Sequence, residues 1–129
     1  MDKSSILKAF NEHFIEFVED LQLVFPNNTN IMTGKNALIS MRKMNPRLVI
    51  VGFNDAVVKP YKKEIEKGDI EFFIRKDYNQ DLHNIDSSSE INNIIDSFRD
   101  PVKNMNSEEQ EKVVKYMQNL LKLTIMYFG

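Results

Sequence analysis

The chain has 129 residues, 42% of them apolar and 28% charged, with a net charge of −2. That length suits one domain able to bury a core without metal or disulfide staples. There is no cysteine, which excludes a disulfide framework, a thiolate metal site and a cysteine nucleophile.

Ser4 and Ser5 are expected to cap a first helix over 4–25, with Asp2 adding charge at its positive end. Leu7, Phe10, Phe14, Phe17, Leu21 and Val24 recur every three or four positions and make one apolar stripe. Phe25-Pro26 stops it, because a residue before proline is pushed out of the α region. Asn27-Asn28-Thr29-Asn30 reads as a turn or cap, followed by a second helix over 30–44 with Ala37, Leu38, Met41 and Met44 facing inward. Gly34 weakens that helix by roughly 1 kcal/mol.

Asn45 and Pro46 read as the N-cap and first turn of a third helix, which runs to residue 66 with a kink at Pro60. Leu48-Val49-Ile50-Val51 has the composition of a strand, but Ile50, Phe53, Val57, Tyr61 and Ile65 keep helical spacing. Gly68 suits a left-handed helix end. Asp69 then caps a short helix over 70–76 that buries Ile70, Phe73 and Ile74. Residues 77–87 read as a polar loop. Ser87 and Glu90 make a capping box before Ile91, Ile94, Ile95 and Phe98, and Asp100-Pro101 ends that helix. Ser107 and Gln110 make a second box, opening a last helix over 108–127 striped by Val113, Met117, Leu120, Thr124 and Tyr127. The expected fold class is all-α: a compact single-domain bundle of about five or six helices over residues 1–129, joined by short linkers.

The charge is segregated. Residues 1–30 carry a net −3, residues 31–63 a net +6, residues 64–111 a net −8 and residues 112–129 a net +3. The basic segment is sharpest at Arg42, Lys43 and Arg47, around Asn45-Pro46, with Lys35, Lys59, Lys62 and Lys63 as exposed neighbours. Those seven residues are the candidate contacts for an acidic partner or a phosphate. The ordinary alternative is that they solvate exposed faces and pair with the acidic third of the chain. A sequence pI near 5.7 and core-like positions for Phe53 and Tyr61 argue against a dedicated nucleic-acid reader.

Chemistry-bearing motifs are incomplete. Asp77-x-Asn79-x-Asp81 starts like a calcium loop, but Leu82 and Ser88 stand where the turn glycine and the bidentate Glu belong. His13 lies beside the first apolar stripe and reads as structural. His83 sits among Asp81 and Asp86 with no second histidine cluster to complete a metal site. The four glycines are isolated, so there is no phosphate loop, and no G-x-S-x-G occurs. No metal, cofactor or catalytic residue is therefore assigned. No apolar run approaches the roughly 18 residues of a spanning helix, and the first residues lack a signal-peptide core. Seven methionines suit core filling. Were Met41 and Met44 exposed beside the basic turn, they would make an amphipathic partner surface.

Asn, Ile and Lys make up nearly a third of the residues, a bias expected of an A/T-rich source genome. Phe25-Pro26-Asn27-Asn28, Asn45-Pro46, the run EKGDIEFFIRKDY over 66–78 and YMQNLLKLTIMYF over 116–128 together give the chain a resemblance. It resembles a set of small uncharacterised helical proteins encoded by large nucleocytoplasmic DNA viruses. The resemblance implies a viral protein of the host cytoplasm or the virion, and it carries over no catalytic residues. The expected function is non-enzymatic protein–protein interaction with a viral or host protein, with homodimerisation through the apolar C-terminal helix as a variant and no membrane role. The alternative is a nucleic-acid-associated factor using 31–63. A metal-assisted enzyme at Asp77, Asp81 and His83 ranks last.

Overall fold

The structure, a computed structural model, describes residues 2–75 and 97–129. Among these residues all regular structure is helical, so the chain is all-α.

Helix α1 spans Lys3–Val24. Its cap is Asp2 rather than Ser4 or Ser5: Asp2 Oδ1 accepts the Ser5 N–H at 2.7 Å, placing a carboxylate at the positive end of the helix. That bond also holds the Asp2 carboxyl below the usual carboxylate range. Phe10, Phe17 and Leu21 are buried as the stripe requires, and Ile6 and Val18 widen the buried face. Val24, at the frayed last position, is exposed instead.

Helix α2 (Thr29–Met44) is capped by Asn28, whose Oδ1 accepts the Ile31 N–H at 3.1 Å. It returns antiparallel to α1, with Lys35 beside Glu19 and Arg42 beside Glu12. At Gly34, α2 lies against residues 97 and 98. A Cβ there would collide with the Ser97 hydroxyl and stand 3.0 Å from the Phe98 ring. Met44 does not face inward; it is 75% exposed, because α2 ends there and the chain turns away.

Asn45 and Pro46 do not begin a helix. Asn45 ends α2 by donating its N–H to the Met41 carbonyl at 2.9 Å, and its Oδ1 accepts the Arg47 N–H at 3.0 Å. Its side chain thus closes a turn through 45–47. Buried Asn11 on α1 reaches across and donates to the Pro46 carbonyl at 2.9 Å.

The expected third helix is divided into α3 (Leu48–Phe53), a π-helical turn (Asn54–Val58) and α4 (Lys59–Lys67). Pro60 explains the division. It has no N–H to donate, and its ring crowds the preceding turn. The backbone widens, so the Lys59 N–H reaches the Asn54 carbonyl five residues back, and the kink falls at Tyr61 (φ −128°, ψ 24°). The strand-like run 48–51 is helical because helical spacing buries Val49, Ile50, Val57 and Ile65 together. Gly68 (φ 73°) ends α4, with the Asp69 N–H returning to the Glu64 carbonyl. Asp69 then caps α5 (Ile70–Arg75) by accepting the Phe72 N–H at 3.1 Å. Residue 76, the loop 77–87, the Ser87–Glu90 box and the stripe Ile91, Ile94, Ile95 lie outside the described residues.

Residues 97–103 form helix α6, which Pro101 does not terminate. A proline φ is already helical, and burial of its neighbours offsets the lost bond and the crowding of the preceding turn. The Asn104 N–H still reaches the Asp100 carbonyl at 3.2 Å, and Phe98, Pro101 and Val102 are all buried. Helix α7 spans Ser107–Phe128. Its capping box is one residue earlier than expected: Asn106 and Glu109 exchange side-chain-to-backbone bonds of 2.8 and 3.1 Å. Gln110 instead donates to the Val102 carbonyl at 3.0 Å, tying α6 to α7.

α7 packs antiparallel to α1, with Tyr127 near Lys3 and Tyr116 bonded to Asp20. Its predicted stripe is correct, with Met117 half-buried and the other four residues buried. Thr124 hides its hydroxyl by donating to the Leu120 carbonyl at 2.7 Å. A relay of rings joins the elements: Phe10, Phe14 and Phe17 of α1, Phe53 of α3, Phe98 of α6 and Tyr116 of α7, with centroids 5.4–6.5 Å apart. Such pairs add about 0.5–1.5 kcal/mol each beyond area burial.

Candidate functional site

The structure sorts the seven candidate basic residues into three stations. Lys35 lies along α1, its ammonium 3.3 Å from both Glu19 Oε2 and Gln22 Oε1. Arg42, Lys43 and Arg47 gather around the 45–47 turn. Lys59, Lys62 and Lys63 sit on α4, and the helical rise from Arg47 to Lys59 alone separates them by roughly 15–20 Å.

The stations differ in how far their charge is spent. On α4, Lys59 pairs with Asp55 at 3.0 Å and Lys62 with Glu66 at 3.8 Å, both one turn away on the same rod; among the described residues Lys63 has no such pair. At the turn, Arg42 lies 3.9 Å from Glu12, a carboxylate it shares with Lys8. Among the described residues, no carboxylate pairs with Lys43 or Arg47. The Arg47 guanidinium instead rests 6.0 Å from the centroid of the Tyr127 ring, which Lys3 approaches to 5.8 Å. Tyr127 therefore draws cations of α1 and of the turn to the C-terminal end of α7.

That end is also apolar. Ile125, Met126 and Phe128 are 41%, 51% and 41% exposed, off the buried stripe, and Met44 is exposed beside Lys43. Met41 is buried, so only Met44 of the expected methionine pair reaches the surface. Lys3, Asn11 and Tyr127 are the contributors that sequence reasoning missed. The off-stripe apolar residues at 125, 126 and 128 were a visible signal for this end of α7; no local pattern announces Asn11, whose partner is 35 positions away.

His13 is half-buried as expected. Its Nδ1 lies 3.5 Å from Glu16 Oε2 and its ring 4.8 Å from that of Tyr116. The Tyr116 hydroxyl donates to Asp20 Oδ2, and burial together with that carboxylate pushes the phenol well above its usual range. The group clamps α1 to α7. Among the described residues no cluster of His, Asp and Glu is placed to hold a metal ion, and no helix is long and apolar enough to cross a membrane. Asp77, Asn79, Asp81, His83, Asp86 and Ser88 lie outside the described residues.

A second feature lies inside the fold. A cavity of about 130 Å³ is bounded by side chains from α1, α2, α3, the π-turn, α5, α6 and α7. Apart from Arg99, its described walls are apolar or glycine, with Phe14, Phe53, Leu38, Val57, Val113 and Met117 among them. No protein-family model, curated protein or solved structure matches the chain.

Proposed function

We propose that the chain is a non-enzymatic binding protein. It engages another protein through the surface made by Arg42, Lys43, Met44 and Arg47 together with Ile125, Met126 and Phe128. The observation that carries this reading is that Lys43 and Arg47, which pair with no carboxylate among the described residues, stand beside exposed Met44 and, through the Arg47–Tyr127 contact, near the exposed apolar end of α7. Charge steers an acidic partner and sets orientation, while desolvated apolar contacts supply most of the affinity. On the resemblance alone, the proposed setting is a viral protein in the host cytoplasm or the virion, folded as one compact bundle over residues 1–129. Homodimerisation through the C-terminal end of α7 is a variant of the same reading.

The test is capture from infected or host lysate by the tagged chain and by M44S/M126S/F128S, with circular dichroism to show that the variant keeps its helices. A partner retained by the parent and lost from the variant supports the reading; equal capture contradicts it. Sedimentation of the two proteins alone separates the dimer variant.

The unpaired Lys43, Arg47 and Lys63 favour a second reading, association with nucleic acid. Binding to duplex or single-stranded DNA or RNA would then fall linearly on a log–log plot against salt. No affinity for any of these at low salt removes it.

A further inference from the structure

We propose that the interior cavity is a binding site for a compact, neutral, apolar small molecule of about the size of benzene. This goes beyond the surface reading above and does not depend on it.

The first ground is volume. Protein interiors are close-packed, and voids larger than a water molecule are few. Here about 130 Å³ is open at the meeting point of most of the described helices. Apolar cavities near 150 Å³ stay dry and accept benzene or xenon.

The second ground is lining. Water needs two to four polar partners to settle in a cavity. Phe14, Phe53, Leu38, Val57, Val113 and Met117 offer none. Arg99 is the one charged side chain among the described walls, and its buried Nε and Nη2 are the polar atoms that a charged or hydrated guest would have to use. A neutral guest enters without giving up the hydration of a charge, whereas a charged guest must lose it.

The third ground is how the space arises. The π-turn contributes Val57 to the wall, and Gly52 and Phe53 stand just before it. Pro60 imposes that widened turn, which places Val57 on the cavity wall. Such π-turns recur at functional sites. Ile70, Ile74 and Met117 on the cavity wall are only half-buried.

The experiment uses the full chain with labelled Ile, Leu and Val methyl groups. Benzene is titrated and followed by methyl NMR, with xenon as a second probe and benzoate as the charged comparison. The expected result is saturable shifts confined to the Ile, Leu and Val methyls of the cavity wall, Leu38, Val57, Ile70 and Val113 among them, with a rise in Tm. Two fillings from different walls, V57L/V113L and Leu38→Phe, should remove the shifts while the spectra elsewhere remain those of the folded chain. The parent titration decides the matter even if a filled variant fails to fold. Absence of saturable shifts at these methyls up to benzene saturation would overturn the proposal. So would shifts undiminished in folded, filled variants, or tighter binding of benzoate than of benzene.

Discussion

The two groups of cations on the surface carry similar formal charge and have different surroundings. On α4, Lys59 and Lys62 are matched one turn away by Asp55 and Glu66, and Lys63 projects alone. Around the 45–47 turn, Lys43 and Arg47 have no carboxylate partner among the described residues, Arg47 leans on Tyr127, and Met44 and the end of α7 supply exposed apolar area. Segregated charge along a sequence is therefore a poor guide to a binding face. Helical i,i+4 pairing matches Lys59 and Lys62 of one basic run, whereas Arg47 of the other lies against an aromatic ring.

The comparison sharpens first at the buried polar residue that holds the turn. Asn11→Ala removes the donor to the Pro46 carbonyl and should lower stability by about 1–2 kcal/mol in urea unfolding. It should also broaden the amide signals of 45–47, while those of α4 stay sharp. Gly68→Ala acts on the other station. A side chain at φ 73° costs about 1–2 kcal/mol, and the added Cβ meets Val114 at 3.1 Å. Urea unfolding should show that loss with the signals of the 45–47 turn unmoved.

Tyr116→Phe probes the clamp between α1 and α7, away from both stations. The folded-state phenol has a raised pKa, so its contribution is intact below the unfolded value near 10 and is lost as pH rises beyond it. Between pH 10 and 11 the parent should lose stability more steeply than Tyr116→Phe, as followed by denaturant midpoints. The smallest effect is expected at Lys59→Ala. Its pair with Asp55 is solvent-exposed, so the change in stability should stay within about 0.5 kcal/mol and shrink further in salt.

Much of the fold was legible because its signals are local. Phe10, Phe14, Phe17 and Leu21 declare α1 by spacing alone, and Gly68 and Asp69 mark an end and a cap through their own backbone preferences. Caps slipped by a residue where neighbouring side chains compete for the same role, as Asn106 does with Ser107 and Asp2 with Ser4. The stop expected at Pro101 failed because burial of Phe98 and Val102 outweighs one lost backbone bond. At the candidate site, Arg42, Lys43 and Arg47 were readable as charge. Their surroundings were not, since Asn11 and Tyr127 reach the turn only through tertiary packing. The cavity left no mark in the sequence beyond Pro60, because a void is a property of how several helices meet.

The most direct measurement compares capture by two charge reversals of the full chain, R42E/K43E/R47E and K59E/K62E/K63E, each checked for retained helicity. The account predicts that the first loses the partner held by the parent chain and the second keeps it. Loss confined to the α4 reversal, or equal loss from both, would contradict the placement of the binding face at the turn.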